Sequence, residues 1–305
     1  MSSKKPLLIC VVGATAIGKT SLAVKLAQAF STEIISADSR QFFKEMTIGT
    51  AVPSKQELSA APHHFIQNKS IFEAYSVGDF ERDAIALLEN LFKKNQIVIM
   101  VGGSGLYVDA VVKGLDNFPK VPSEIREQLN LELNEKGLES LQNELRNADP
   151  VYFEKVDIQN PHRVIRALEI YRATGKPYSS FLKKENIQRD FNTLFIGLTV
   201  NREIIYERIN HRVDTMIKEG LIDEAKSLFQ YKEENALQTV GYRELFEYFE
   251  GKISLEEAIL EIKKNTRRFA KRQNTWFKKN EAIHWFDYDT EVSEIINFIN
   301  EKNAL

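Results

Sequence analysis

Leu7-Leu-Ile-Cys-Val-Val-Gly-Ala-Thr-Ala-Ile-Gly-Lys-Thr20 is the stretch from which the fold can be read. Its first residues, Leu7 to Val12, are apolar at consecutive positions and turn-forming residues follow, the pattern of a parallel strand buried on both faces. Gly13 to Thr20 then matches G-x-x-x-x-G-K-[ST] in full. From Lys19 to about Phe30 a helix is expected, with Leu22, Leu26 and Phe30 on one stripe. Strand, glycine loop and helix N-terminus make a phosphate cradle. The backbone of Gly13, Ala14, Thr15, Ala16, Ile17 and Gly18 offers N–H groups, Lys19 a full positive charge and Thr20 a hydroxyl for Mg²⁺. A polyphosphate binds here, and the loop alone does not distinguish a nucleotide such as ATP from another diphosphate.

Outward from this loop, strand and helix alternate. Glu33 to Ala37 reads as a second strand ending at Asp38, and Gln96 to Val101 as a third ending at Gly102 and Gly103. Between them a helix is expected from about Asp79 to Lys94, its start marked by Ser76 and Asp79 at capping-box spacing. From Pro119 to about Asn192 the pattern changes to helices with short breaks. Thr193 to Val200 returns to a buried strand, Glu203 to Lys218 is a helix with Gly220 past its end, and another helix runs from near Ser254 to about Lys278. The expectation is an α/β fold: a P-loop core with a parallel sheet flanked by helices, formed by residues 1–118 and 193–305, plus an all-helical insertion domain at 119–192.

Composition narrows the function. With 305 residues the chain has room for two domains or one large core with an insertion. Its 41 Lys and Arg against 43 Asp and Glu give a net charge of -2, so any attraction to nucleic acid must come from local patches. Charges interrupt every apolar segment well short of the roughly 18 to 20 residues that span a bilayer. Lys4 and Lys5 precede an apolar run too short for a signal peptide, so no membrane partner is expected. The single Cys10 allows no intrachain disulfide and the His residues lack zinc spacing, which fits a reducing cytoplasm.

An ordinary P-loop NTPase places a Mg²⁺-associated acid at a strand tip. The strand ending at Gly102-Gly103-Ser104-Gly105 has none, and Asp109 is too far along to serve. Asp38 does end a strand, and strand tips converge on the phosphate loop, so it is a candidate metal-associated acid or general base; its other reading is a helix cap. The Gly102 to Tyr107 loop offers N–H groups and the Ser104 hydroxyl to an anion, or is a plain strand-to-helix turn. Lys263 to Lys279 holds eight basic and no acidic residues, interleaved with Phe269, Trp276 and Phe277. A second basic set, His162, Arg163, Arg166, Arg172 and Lys176, lies in the insertion. Two separated patches suit a large folded RNA, although each could be a solvated face.

These residues resemble one family over nearly the whole chain: the bacterial tRNA dimethylallyltransferases, also called tRNA isopentenyltransferases. The likeness rests on Gly13 to Thr20, Ile35-Ser-Ala-Asp-Ser-Arg-Gln41, Met46-Thr-Ile-Gly-Thr-Ala51 and Ala61-Pro-His-His64. It continues through Tyr75 to Phe80, Val101-Gly-Gly-Ser-Gly-Leu-Tyr107, Asn160-Pro-His-Arg163, Arg166-Ala-Leu-Glu169, Val240-Gly-Tyr-Arg243 and Ala270-Lys-Arg-Gln273. The resemblance implies transfer of a dimethylallyl group from dimethylallyl diphosphate to the exocyclic amino group of the adenosine 3′-adjacent to the tRNA anticodon, with diphosphate released.

By that resemblance the P-loop holds the donor's diphosphate, with Lys19, Thr20 and Mg²⁺ stabilising the leaving group. Asp38 matches the family's acid beside the target amino group, Ser104 a hydroxyl residue that seats the reacting groups, and Arg212 an arginine that clamps the diphosphate. The segments implied to meet the anticodon stem-loop are Asp38, Ser39, Arg40 and Gln41; His162, Arg163, Val164, Ile165 and Arg166; and Gln238, Thr239, Val240, Gly241, Tyr242 and Arg243. Ser104 and Arg126 join them. A cytoplasmic monomer is expected. Ala14 stands where many members have Pro, Ile17 where Ser or Val is frequent, and Ser104 where Thr is common, while Leu305 ends the chain without the zinc-finger extension of some eukaryotic relatives. The rival readings are a small-molecule or nucleoside kinase and an RNA-binding module with a vestigial nucleotide site.

Overall fold

The computed structural model describes residues 5–182 and 187–304, so Lys4, Leu305 and residues 183–186 of the expected insertion lie outside the described residues. One parallel sheet has six strands: β1 Leu7–Val12, β2 Ile34–Ser36, β3 His63–His64, β4 Ile97–Gly102, β5 Asn192–Thr199 and β6 Ile283–Asp287. Their order is β3-β2-β4-β1-β5-β6. Register places Val12 beside both Gly102 and Gly197, and Ser36 beside Val101. The carboxyl ends of β1, β2 and β4 therefore finish level, and the loops that follow them open at one edge of the sheet.

Every residue of β1 is buried, and alternate side chains serve opposite faces. Leu7, Ile9 and Val11 pack with Leu22, Leu26 and Ile209; Leu8, Cys10 and Val12 pack with Phe80, Leu88 and Val108. Helices thus cover both faces, as the continuous apolar strand requires. The helices expected at 19–30, 79–94, 203–218 and 254–278 occur as Lys19–Ala29, Val77–Leu91, Arg202–Lys218 and Leu255–Phe277. The Ser76 and Ser254 capping boxes both form.

A further apolar cluster joins helices Arg202–Lys218, Leu221–Leu228, Tyr242–Phe249 and Leu255–Phe277 through Val213, Leu221, Tyr242, Leu245 and Ile262, and it includes Met46. No described helix is long and apolar enough to cross a membrane.

The chain divides into two compact units, residues 1–113 with 189–305, and residues 114–188. The breaks lie some residues before those expected at 118/119 and 192/193. At the return, Arg189 Nη2 already bonds Glu81 Oε1 at 2.5 Å and the Ala110 carbonyl at 2.9 Å, which ties it to the sheet unit. The described part of the second unit is helical, with Leu129, Leu141, Leu145, Val164, Ile165 and Leu168 as its own core.

Candidate active site

The phosphate loop follows β1 and ends at Gly18, whose φ of +111° is open to glycine and strained for any residue with a Cβ. Helix Lys19–Ala29 begins there with no side-chain cap, leaving its first N–H groups to the loop. Ala14 and Ile17 are buried, so the two departures from the family's usual residues sit on the inner side of the loop. Lys19 folds back so that its Nζ donates to the Ala14 carbonyl at 2.6 Å. Burial pushes the Lys19 ammonium down to about 8; the nearby Asp38 opposes that fall and Arg212 adds to it. Arg212 is shifted down by burial too, and Asp38 partly restores it. Two cations therefore share this place with fewer counter-charges than they could use.

The other loops are tied to this one. Gln273, on helix Leu255–Phe277, accepts from the Thr15 backbone N–H at 2.8 Å and donates to the Gly103 carbonyl at 2.9 Å. Arg212 Nη1 reaches Thr15 Oγ1 at 3.5 Å, and Arg208 Nε donates to the Ala16 carbonyl at 2.8 Å. Ser104 Oγ accepts from the Ser39 backbone N–H at 3.2 Å and donates to Ser39 Oγ at 3.2 Å. Asp38 Oδ1 accepts the Arg40 N–H at 3.0 Å, which holds its carboxylate at the turn.

A third layer holds the Asp38 turn. Gln41 spends its amide on the Thr50 and Ala51 carbonyls at 3.3 and 2.9 Å and accepts from Ser36 Oγ at 3.2 Å. The 47–51 loop is in turn gripped by Glu224, which accepts the N–H groups of Thr47, Ile48 and Gly49 and, at 2.6 Å, the Tyr242 hydroxyl. A Cβ on Gly49 would lie 2.5 Å from the Tyr242 ring, so the loop packs directly on that ring.

Two cavities meet at these loops. A small one of about 70 Å³ is lined by Lys19, Thr20, Ser36 and His63. A larger cleft of about 710 Å³ is lined by Ser104, Gln238, Arg243, Arg268, Phe269 and Trp276. Thr15, Asp38, Thr50, Gly103 and Arg212 border both. The expected catalytic set Thr20, Asp38, Ser104 and Arg212 is thus gathered around one pair of adjoining spaces.

The residues read as RNA-contacting separate into two kinds. Ser39, Arg40, Gln238, Thr239, Val240, Gly241 and Arg243 line the cleft. The Arg40 guanidinium is already engaged, since Nη1 donates to the Asn235 and Ala236 carbonyls at 3.0 Å. Tyr242 is fully buried with its hydroxyl on Glu224, and Gln41 is a buried bracket, so neither side chain is available to RNA as expected. In the helical unit His162 and Arg163 are exposed and Arg126 and Arg166 are half-exposed, whereas Val164 and Ile165 belong to the unit's core. The helical period explains the correction: a contiguous span on a helix cannot all face outward.

The basic runs are corrected in the same way. Lys263 pairs with Asp214, Lys264 with Glu261, and Arg267 donates to Asn210 Oδ1, leaving Arg268 and Arg272 at the cleft. Arg172 lies between Glu132 and Glu144 at 2.8 and 2.5 Å, and the hydrogen bonds its guanidinium donates to Glu144 and Glu132 raise its pKa. It braces the helices of its unit. Asp109 accepts from Trp276 Nε1 at 3.0 Å and pairs with Lys113, which leaves β4 without an acid at its tip. Sequence reading missed Gln273, Gln41 and Glu224 as organisers; only the Gln273 and Gln41 motif blocks hinted at them.

The model of a family described as IPP transferase matches residues 41–280. The chain is 60% identical over 295 residues to a tRNA dimethylallyltransferase of Christiangramia forsetii, covering 97% of this chain and 98% of the relative. It is 58% identical over 301 residues to one from Flavobacterium psychrophilum, covering 97% and 98%. Among solved structures, a full-length tRNA isopentenylpyrophosphate transferase from Bacillus halodurans superposes with a TM-score of 0.73 at 39% identity, covering 98% of this chain and 97% of that one. A eukaryotic dimethylallyltransferase acting on tRNA gives a TM-score of 0.80 at 29% identity, with 97% and 80% covered. The family match begins after the phosphate loop and Asp38, whereas the match to the Christiangramia forsetii relative covers 97% of this chain, a span that takes in both positions.

Proposed function

We propose, from the premise that this chain belongs to the IPP transferase family and is a prenyltransferase acting on tRNA, that it moves the dimethylallyl group of dimethylallyl diphosphate to the exocyclic amino group of the adenosine 3′-adjacent to the anticodon. One observation carries the residue assignment: Asp38 and Arg212 border both the small cavity at the phosphate loop and the large cleft beside it. The donor's diphosphate belongs on the loop side and the acceptor base on the cleft side, so the bond-forming atoms meet where the two spaces join. A stacked base cannot reach such a point, and the adenosine is extruded into the cleft.

In this reading the loop N–H groups, Lys19 and Arg212 take the charge that grows on diphosphate as the allylic C–O bond breaks. The amino nitrogen forms the new C–N bond and its proton passes to Asp38. Ser104, held against Ser39, lines the cleft beside Asp38 and helps seat the base.

The donor set also suits Mg²⁺. No group of three or more His, Cys, Asp or Glu stands ready for a metal among the described residues, while Thr20 lines a small cavity at the phosphate loop. Few protein oxygens plus waters and phosphate oxygens is the habit of this ion. Thr20 would hold it, and when bound it supplies further neutralisation of the leaving diphosphate. A monomeric protein at work in the cytoplasm completes the reading.

The test is transfer of label from dimethylallyl diphosphate to unmodified tRNA with Mg²⁺, beside labelled ATP and a tRNA lacking the target adenosine. Label in the intact tRNA alone is expected. ATP turnover without prenyl incorporation would return the loop to the kinase reading.

A further inference from the structure

The helical unit contains a charged cluster that chemistry at the phosphate loop does not use. Glu169 lies within helix Pro161–Thr174 and is only 3% exposed. Its Oε1 accepts from Arg166 Nη1, while its Oε2 has no hydrogen-bond partner and lies 3.5 Å from Arg126 Nη1. The Arg166 guanidinium carbon sits 5.3 Å from the Phe118 ring centroid, and Phe118 stacks on Tyr178 at 4.6 Å. Arg126 and Arg166 keep 51% and 40% of their side-chain surface exposed.

A buried carboxylate with one unsatisfied oxygen is a poor way to stabilise a helix, because full burial of Glu is rare without complete pairing. Here it touches one nitrogen of each guanidinium. Arginine has five N–H donors, so most of each fork is left for solvent or a ligand. One carboxylate is thus shared between two guanidiniums. Arg172, in the same unit, is the contrast: both its edges are consumed by Glu132 and Glu144.

We propose that Glu169 is a positioning residue that presents Arg126 and Arg166 as a two-pronged clamp for one backbone phosphate of tRNA. The inference rests on the tRNA reading above. Phosphate suits the site because its oxygens accept from two guanidiniums at once, and ring stacking limits how far the Arg166 prong can swing.

The experiment measures binding of unmodified tRNA transcript to the full chain across a salt series, for wild type, Glu169→Gln, Arg126→Gln/Arg166→Gln and the triple variant. Simple electrostatics predicts tighter binding for Glu169→Gln, which removes a negative charge. The clamp predicts the opposite, a loss of about tenfold, and no further loss beyond twofold when Glu169→Gln is added to the double variant. Arg166→Lys keeps the charge but not the fork; it is expected to bind about fivefold more weakly with the same salt slope. Diphosphate binding should be unchanged in all of these.

Unchanged or tighter binding by Glu169→Gln, an equal loss in both backgrounds, or full affinity in Arg166→Lys would each overturn the clamp. Equal losses would assign Glu169 to the stability of the helix, which a lowered thermal midpoint in Glu169→Gln would register separately. Failure of the wild-type chain to bind tRNA would instead overturn the reading on which the clamp rests.

Discussion

Arg212 in the sheet unit and Arg172 in the helical unit are both drawn partly out of solvent, yet their surroundings handle the charge in opposite ways. Arg172 is met on both edges by carboxylates and its pKa rises. Arg212 has Thr15 Oγ1 at 3.5 Å, carries a burial penalty, and shares its neighbourhood with Lys19. Asp38 is the nearby carboxylate for both, whereas Glu224 is satisfied without using those cations, filled by three backbone N–H groups and a phenol. The difference teaches where an anion is awaited. A cation already neutralised braces the fold, whereas one desolvated and left short of counter-charge gains most when a diphosphate arrives.

The contrast is most exposed to failure in kinetics. Arg212→Ala is expected to lower kcat/KM for prenyl transfer by about 100- to 1000-fold, the scale of losing one pre-organised charge donor. Arg172→Ala should leave it within about threefold. Comparable losses in steady-state assays would erase the distinction.

Next in size is the carboxylate that holds the Asp38 support loop. Glu224→Ala orphans the N–H groups of Thr47, Ile48 and Gly49 and should cost about 1 to 3 kcal/mol in urea unfolding. A loss in kcat should accompany it, because Gln41 rests on the same loop.

Lys19 sharpens the comparison through pH. With its pKa lowered to about 8 in the free protein, the ammonium loses its proton as pH rises through that value. Bound diphosphate favours the charged form and raises the pKa, so the complex holds more protons than the free protein in that window. Diphosphate affinity should therefore fall as pH rises through about 8, approaching about tenfold per unit, with proton uptake on binding near pH 8.5 in calorimetry across buffers. In the absence of ligand the sign for stability is the reverse. The unfolded lysine, near 10.5, holds its proton longer than the folded one, so this group's penalty shrinks as pH climbs from about 8 towards 10.5.

The smallest effect belongs to the neutralised region. Arg172→Met should cost about 0.5 to 1 kcal/mol in unfolding of the chain, since the pairs remain partly exposed and salt-screened, and added salt should narrow the gap from wild type.

Much of this was legible in the chain itself. Consecutive apolar residues from Leu7 to Val12, followed by Gly13 to Thr20, dictated a buried central strand, a phosphate loop and a helix, because few other arrangements bury such a run beside such a loop. Asp38 was legible as a strand-tip acid. β3 and β6 were not: the first is a polar His63-His64 pair and the second, Ile283–Asp287, is short, half-exposed and at the sheet's edge, so neither carries a strong apolar period. The site's supports were hidden for a different reason. Gln273 lies within a basic run and Glu224 on an ordinary amphipathic helix, and the backbone atoms they hold belong to residues 170 and 258 positions away for Gln273 and 175 to 177 for Glu224, which no local pattern records. Arg172, Val164, Ile165 and Tyr242 were misread because a motif records which residues recur, and burial decides which way each points.

The Gln273 side chain meets only main-chain atoms, the N–H of Thr15 and the carbonyl of Gly103. Its grip is therefore indifferent to what side chain sits at position 15, and a lineage can exchange that residue without unfastening the two loops. Position 273 enjoys no such liberty. One end of the amide must accept and the other donate, so glutamate, which only accepts when ionised, would release the Gly103 carbonyl while keeping the same shape. Anyone recombining this enzyme with a relative can vary the side chain at 15 without unfastening the two loops, at the expense only of its hydroxyl's contact with Arg212, whereas the distant glutamine must travel with the chassis.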